Sequence, residues 1–204
     1  MLEMARAERQ DLLAFLRTLT PSQWDTPSLC AGWRVREVVA HMLSYDELTT
    51  RALASRFLRG RFSLTRINAL GVRHNELDPG QLLTQLSEHL APRGLTAGLG
   101  GMIAFLDATI HHQDIRRPLG LPREIPPDRL RRALRAALFA PPTGAPWRAR
   151  GLKLVATDVD WSAGFGPEVR GAGEAVLLAI AGRGVAAREL TGGGQATLAA
   201  RCTG

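Results

Sequence analysis

At 204 residues with 45% hydrophobic side chains, the chain is long enough for one good core, or for one core and a small appended domain. No apolar run reaches the roughly 18 residues of a membrane span, so no membrane partner is expected. The formal charge of +7 comes almost wholly from arginine, with Lys153 the only lysine, and these arginines are interleaved with acids from Arg6 to Arg201. No recognition motif accompanies them, which argues against a nucleic-acid surface.

Met1 to Arg9 is charged and lacks the apolar centre of a signal peptide, so a cytoplasmic location is expected. Leu2 to Leu19 reads as an amphipathic helix with Leu12, Leu13, Leu16 and Leu19 on one face. Thr20, Pro21 and Gln23 form a capping box that starts a short turn. Trp24 to Trp33 is a packed loop holding Cys30. A second helix is expected from about Arg34 towards Leu58, with Val35, Val38, Val39, Met42 and Leu43 inward and His41 beside them.

Gly60 to Leu77 has weak helical character, broken at Gly71. Asp78, Pro79 and Gln81 begin a helix that runs to about Leu90. Gly94 to Gly101 lacks the spacing and the trailing lysine of a phosphate loop, and reads as a turn that lets helices approach closely. A helix from about Gly101 to Gln113 follows, then an irregular connection through Pro118 to Pro127 and a short helix over Asp128 to Phe139. Ala140 to Pro146 is the linker. Beyond it the period changes: Leu152, Leu154 and Ala156 alternate as a strand, Glu168 to Arg170 is a second strand, and Glu174 to Ala181 is a compact helix. Gln195 to Cys202 reads as a closing strand. The domains expected are residues 1–143, a helical bundle, and 144–204, a small α/β module docked on it, with Trp147 and Trp161 sealing the two.

The chemistry concentrates in Asp107 to Asp114. On a helix Asp107 and His111 stack one turn apart, and the pair stands in a segment that is otherwise apolar from Met102 to Ile110. Buried polar groups need partners, and His41, in a second apolar helix, is placed to meet them across the core. Two imidazoles and a carboxylate make a divalent-metal site with an open coordination position, as catalytic zinc has. The bland alternative is a buried hydrogen-bonded cluster. Asp114, three residues from His111, either orients that ring or pairs with Arg116 or Arg117 at the helix end. His112 points about 100° away and is expected to face solvent or to lie behind the site. His74 and His89 read as surface residues. Cys30 reads as a packed free thiol, with no base visible beside it.

Trp24 to Trp33 with Val35 to His41, Ile110 to Gly120, Leu154 to Asp158 and Leu177 to Arg183 together carry a resemblance. The chain resembles the mycothiol-dependent maleylpyruvate isomerase family, within the DinB/YfiT-like superfamily. That resemblance implies a mostly α fold, a DinB-like up-down helical bundle followed by a small α/β C-terminal domain. It implies a divalent metal, most often zinc, on His41, His111 and Asp107, where the isomerase carries a glutamate in place of Asp107. It also implies mycothiol as the thiol cosubstrate and Arg183 as a guanidinium for a carboxylate substrate or the thiol; an exposed helix-end arginine is the plain alternative.

The expected activity is therefore isomerisation, or thiol transfer, on a small electrophilic and carboxylate-bearing substrate through a metal-bound thiolate, with Asp114 and Arg183 assisting. The partners are a small-molecule thiol and a small electrophile, and the chain acts as a monomer or homodimer. Two alternatives stand beside this: a non-catalytic metal-binding or stress-response protein, and a hydrolase using a metal-bound water with Asp114 or Glu37 as base.

Overall fold

The computed structural model describes residues 1–46, 48–74 and 77–202. Its contacts divide the chain into two compact units, Met1–Arg123 and Glu124–Gly204.

In the first unit, α1 (Leu2–Leu16) buries Ala5, Leu12, Leu13, Phe15 and Leu16, the stripe anticipated from the spacing of its leucines. Thr20 and Gln23 close the expected capping box on α2 (Pro21–Trp24). The single helix expected from Arg34 to Leu58 is instead two, α3 (Val35–Leu43) and α4 (Thr50–Arg59). No glycine or proline marks the break. It is made by tertiary bonding, because Asp46 turns inward to take two hydrogen bonds from the buried Arg9 guanidinium at 2.8 and 3.0 Å, and a third from Thr96.

The segment read as weakly helical is an ordered helix, α5 (Leu64–His74), which runs through Gly71 without breaking; residues 75 and 76 of that segment lie outside the described residues. The Asp78 capping box starts α6 (Pro79–Glu88). The glycine-rich stretch forms a 3-10 turn over Gly94–Ala97 and leads into α7 (Gly98–Arg116) through three left-handed residues, Leu99, Gly100 and Gly101. Gly101 is required there: a Cβ on it would stand 2.9 Å from the Leu2 Cα, so α1 and α7 approach closely. The main core gathers Leu12, Leu16, Trp24, Val35, Val38, Val39, Leu43, Leu82, Leu86, Ala108 and Ile115.

The second unit begins earlier than the linker suggests. Helix α8 (Pro127–Ala137), expected as the end of the bundle, packs with the C-terminal elements, its Leu130 against Gly173. After the one-turn α9 (Ala145–Arg148), β1 (Lys153–Ala156) pairs antiparallel with β2 (Ser162–Ala163) and parallel with β3 (Glu168–Gly171), in the order β2-β1-β3. Helix α10 (Gly173–Ile180) is buried along almost its whole length. A short α11 (Gly184–Ala187) follows. The expected closing strand is a helix, α12 (Gln195–Ala200), whose alanines favour that state and whose Leu198 alone is buried. Trp161 is buried, whereas Trp147 is 61% exposed.

Among the described residues no helix is long and apolar enough to cross a membrane.

Candidate metal centre

Helix α7 lies at the heart of the first unit and is buried on nearly every side from Ala104 to Ile115. A helix so placed has no solvent face for its polar residues, so each must find a partner inside. Asp107 and His111, one turn apart, face α3. His41 comes from the last turn of α3 and completes the group. Its Nε2 lies 3.8 Å from Asp107 Oδ1, His111 Nε2 lies 3.3 Å from the same oxygen, and the two imidazole rings meet edge to face at 5.1 Å. One ligand atom from each residue falls within 4.8 Å of the other two. Ligands about 2.0–2.1 Å from a tetrahedral ion stand roughly 3.3 Å apart, so these separations fit an ion with only a small contraction. The imidazoles are nearly buried, while 30% of the Asp107 side chain is exposed, which leaves one side of the group open.

The other nitrogen of His111 is held from behind. Asp114, fully buried, places Oδ2 2.8 Å from His111 Nδ1. This contact has the geometry that the orienting alternative for Asp114 requires. The Cys30 thiol donates to the same Asp114 oxygen at 3.2 Å and stands 3.5 Å from His111 Nδ1. The reading of Cys30 as a thiol with no base beside it is thus overturned: an imidazole and a carboxylate both adjoin it. The contact is long-range in sequence, made by folding the Trp24 to Trp33 loop over the end of α7, where the Leu29 N–H donates to the Asp114 carbonyl at 3.0 Å. Cys30, His111 and Asp114 also form a group with metal-ligand spacing.

The field in the site is negative. Burial opposes ionisation of Asp107, but His111, His41 and the more distant Arg9 hold its carboxyl below the usual carboxylate range. Burial likewise opposes charging of His111, yet Asp107, Cys30 and Asp114 outweigh it and raise its pKa well above 6.5. An environment that retains a proton on a buried imidazole also attracts a divalent cation, which would take the proton's place.

Trp33 and Tyr45 wall the His41 ring, the first tilted at 5.0 Å and the second edge-on at 5.8 Å. Burial pushes the Tyr45 phenol up, partly offset by Arg56 and reinforced by Asp107.

Other expectations fare differently. His112 is completely buried rather than solvent-facing: its Nδ1 meets Glu8 at 3.1 Å and its Nε2 accepts from Arg116 at 2.9 Å. His89 is also buried, 3.6 Å from Asp46, while His74 is exposed as expected. Glu37 is committed to Arg34 at the start of α3 and is held below the usual carboxylate range by it. Arg183 lies in the second unit, where it donates to the Ala181 carbonyl at 2.7 Å.

Residues 5–97 match the model of the mycothiol maleylpyruvate isomerase N-terminal domain. His41 falls inside the matched residues; Asp107 and His111 lie beyond them. No curated protein matches the chain. Two solved structures do. A crystal structure of a histidine-to-alanine mutant of the mycothiol-dependent maleylpyruvate isomerase is 16% identical, with a TM-score of 0.61. A crystal structure of the mycothiol-dependent maleylpyruvate isomerase is 15% identical, with a TM-score of 0.55. In both, 94% of this chain is covered and 91% of the other. The likeness is one of fold, and it extends over the second unit as well as the family domain: the mostly helical architecture with a small three-stranded sheet is that of the isomerase.

Proposed function

We propose that this protein is a cytoplasmic, divalent-metal-dependent enzyme that uses mycothiol to isomerise a small carboxylate-bearing electrophile, or to transfer the thiol to it. The observation that carries the proposal is the convergence of His41, Asp107 and His111, with Asp114 fixing the far nitrogen of His111. A ligating histidine whose other nitrogen bonds a carboxylate is a recurrent feature of metal sites, because the bond fixes the tautomer and increases ligand basicity. The family of the N-terminal domain and the activity of the structures it resembles supply the thiol and the reaction class.

Zinc is the metal the two imidazoles and one carboxylate suit best, and when bound it would lower the pKa of a thiol in the open position enough for thiolate to form near neutral pH. The residues do the rest. His41 and His111 come from two packed helices, so the donors are set before any ligand arrives. Trp33 and Tyr45 shield one edge of the site from water. Asp107, the exposed donor, stands on the side from which thiol and substrate enter.

The test is metal content of the purified protein and of the His41→Ala and Asp107→Ala variants, followed by mycothiol titration of the metal-loaded form. About one metal per chain, lost in both variants and ligated by added thiol, is expected. A protein that takes up no zinc after reconstitution overturns the proposal.

A further inference from the structure

Helix α4 has no fully buried residue, yet one of its side chains is built into the protein. The Arg56 guanidinium lies over the Tyr45 ring, 5.0 Å from its centroid, and donates to Ser44 Oγ at 3.2 Å. Room for it is made by Gly71 of α5: a Cβ there would stand 2.8 Å from Arg56 Nη1 and 2.6 Å from Ser44 Oγ. The partners that hold the guanidinium are tied to the metal centre. Ser44 Oγ donates to the His41 carbonyl at 2.8 Å, and the Tyr45 ring stands edge-on to the His41 imidazole. The Tyr45 hydroxyl is anchored in turn on Asn68 Oδ1 at 2.6 Å.

Every one of these partners is neutral, and among the described residues no carboxylate pairs with Arg56. A half-buried guanidinium that is fixed in place with no counter-ion among the described residues carries an electrostatic cost, which an anionic ligand relieves. Ser44 occupies one of five N–H donors, and the planar fork matches a carboxylate.

We propose that Arg56, seated on Tyr45 and Ser44, is a carboxylate-binding subsite beside the metal centre, taking the anionic end of the electrophile. This rests on the function proposed above for the metal site, and it assigns part of substrate specificity to the first unit itself, apart from Arg183. Tyr45 is thus packed against both the guanidinium and the His41 ring, which sets the arginine beside the metal centre.

The subsite is read directly by calorimetric titration of metal-free protein with maleate, in the absence of thiol. Wild type is expected to bind one maleate per chain. Arg56→Gln weakens binding at least tenfold, Arg56→Lys weakens it less, and Gly71→Ala weakens it with the arginine still present. Arg51→Gln, which removes an exposed charge from the same helix, leaves it unchanged. Equal affinity in wild type and Arg56→Gln, or no binding by wild type, overturns the subsite. Since metal and thiol take no part in this titration, a protein that binds maleate through Arg56 but takes up no zinc would refute the function proposed above and leave the subsite standing.

Discussion

Asp114 is completely buried, and its carboxylate sits 2.8 Å from Nδ1 of His111. Buried carboxylates are rarely kept without a structural or chemical return, and here Asp114 meets the ring whose other nitrogen faces Asp107 and His41. Asp114→Asn preserves shape but weakens the hold on the imidazole, and zinc affinity is expected to fall by roughly 10- to 100-fold. Competition with a chelator of known affinity measures this; an unchanged affinity would show that Asp114 serves packing alone.

His111 offers its two nitrogens to two different groups of donors, so the location of the metal is itself a prediction. With cobalt in place of zinc, a thiolate ligand gives an intense charge-transfer absorption that nitrogen and oxygen ligands do not. The band is expected only after mycothiol is added, and it should survive Cys30→Ser. A band in the thiol-free protein that disappears in Cys30→Ser would place the ion between Cys30 and Asp114 instead.

The Glu8 and His112 pair predicts an acid-labile fold. The His112 ring donates to Glu8 and accepts from Arg116, an arrangement open only to neutral imidazole, and burial lowers its pKa to about 4 from 6.5. Because the unfolded chain takes up this proton first, stability declines as pH falls from about 6.5 towards 4. For Glu8, burial raises the carboxyl, but His112 and Arg123 prevail and hold it at about 2 against 4.5. Its contribution is present above 4.5 and is lost as pH falls towards 2. Urea unfolding across this window should show the decline, and His112→Gln should remove the upper part of it. A wild-type profile flat from 6.5 to 4.5 would contradict the assignment of a neutral His112.

Arg9 and Asp46 are 2% and 0% exposed, and their ion pair ties α1 to the turn that ends α3. Asp46→Ala strands a buried guanidinium and is expected to cost about 3–5 kcal/mol. Replacing both together, Arg9→Met with Asp46→Leu, should recover most of that. Unfolding free energies from denaturant titration decide it, and a loss under about 1 kcal/mol for Asp46→Ala would mean that water reaches the pair.

Much of the site was legible because helical spacing is a local property: Asp107 and His111 at i and i+4, and His41 in an apolar run, needed only the period of a helix. What was missed depends on which side of each helix is covered. For His112 the spacing leaves two places open, solvent or behind the site, because it does not show that α7 is surrounded and that this side is met by Glu8 of α1. His89 and Asp46 are another case, polar residues at helix ends drawn inward by Arg9, 37 residues from Asp46 in the chain. The break after Leu43 has the same origin and leaves no turn residue as a mark. Cys30 was misjudged because its neighbours are 81 and 84 positions away. In the second unit, Gln195 to Ala200 shows that a short small-residue segment carries no reliable period.

The clamp on His111 also decides what that ring cannot do. With Nδ1 bonded to an anion at its back, a metal on Nε2 would leave the imidazole no lone pair to spare and no freedom to flip, and so would withdraw it from proton shuttling. A turnover cycle here has to pass its protons through the thiol, the solvent at the open side, or a carboxylate, and its pH–rate profile should carry no limb belonging to a free histidine.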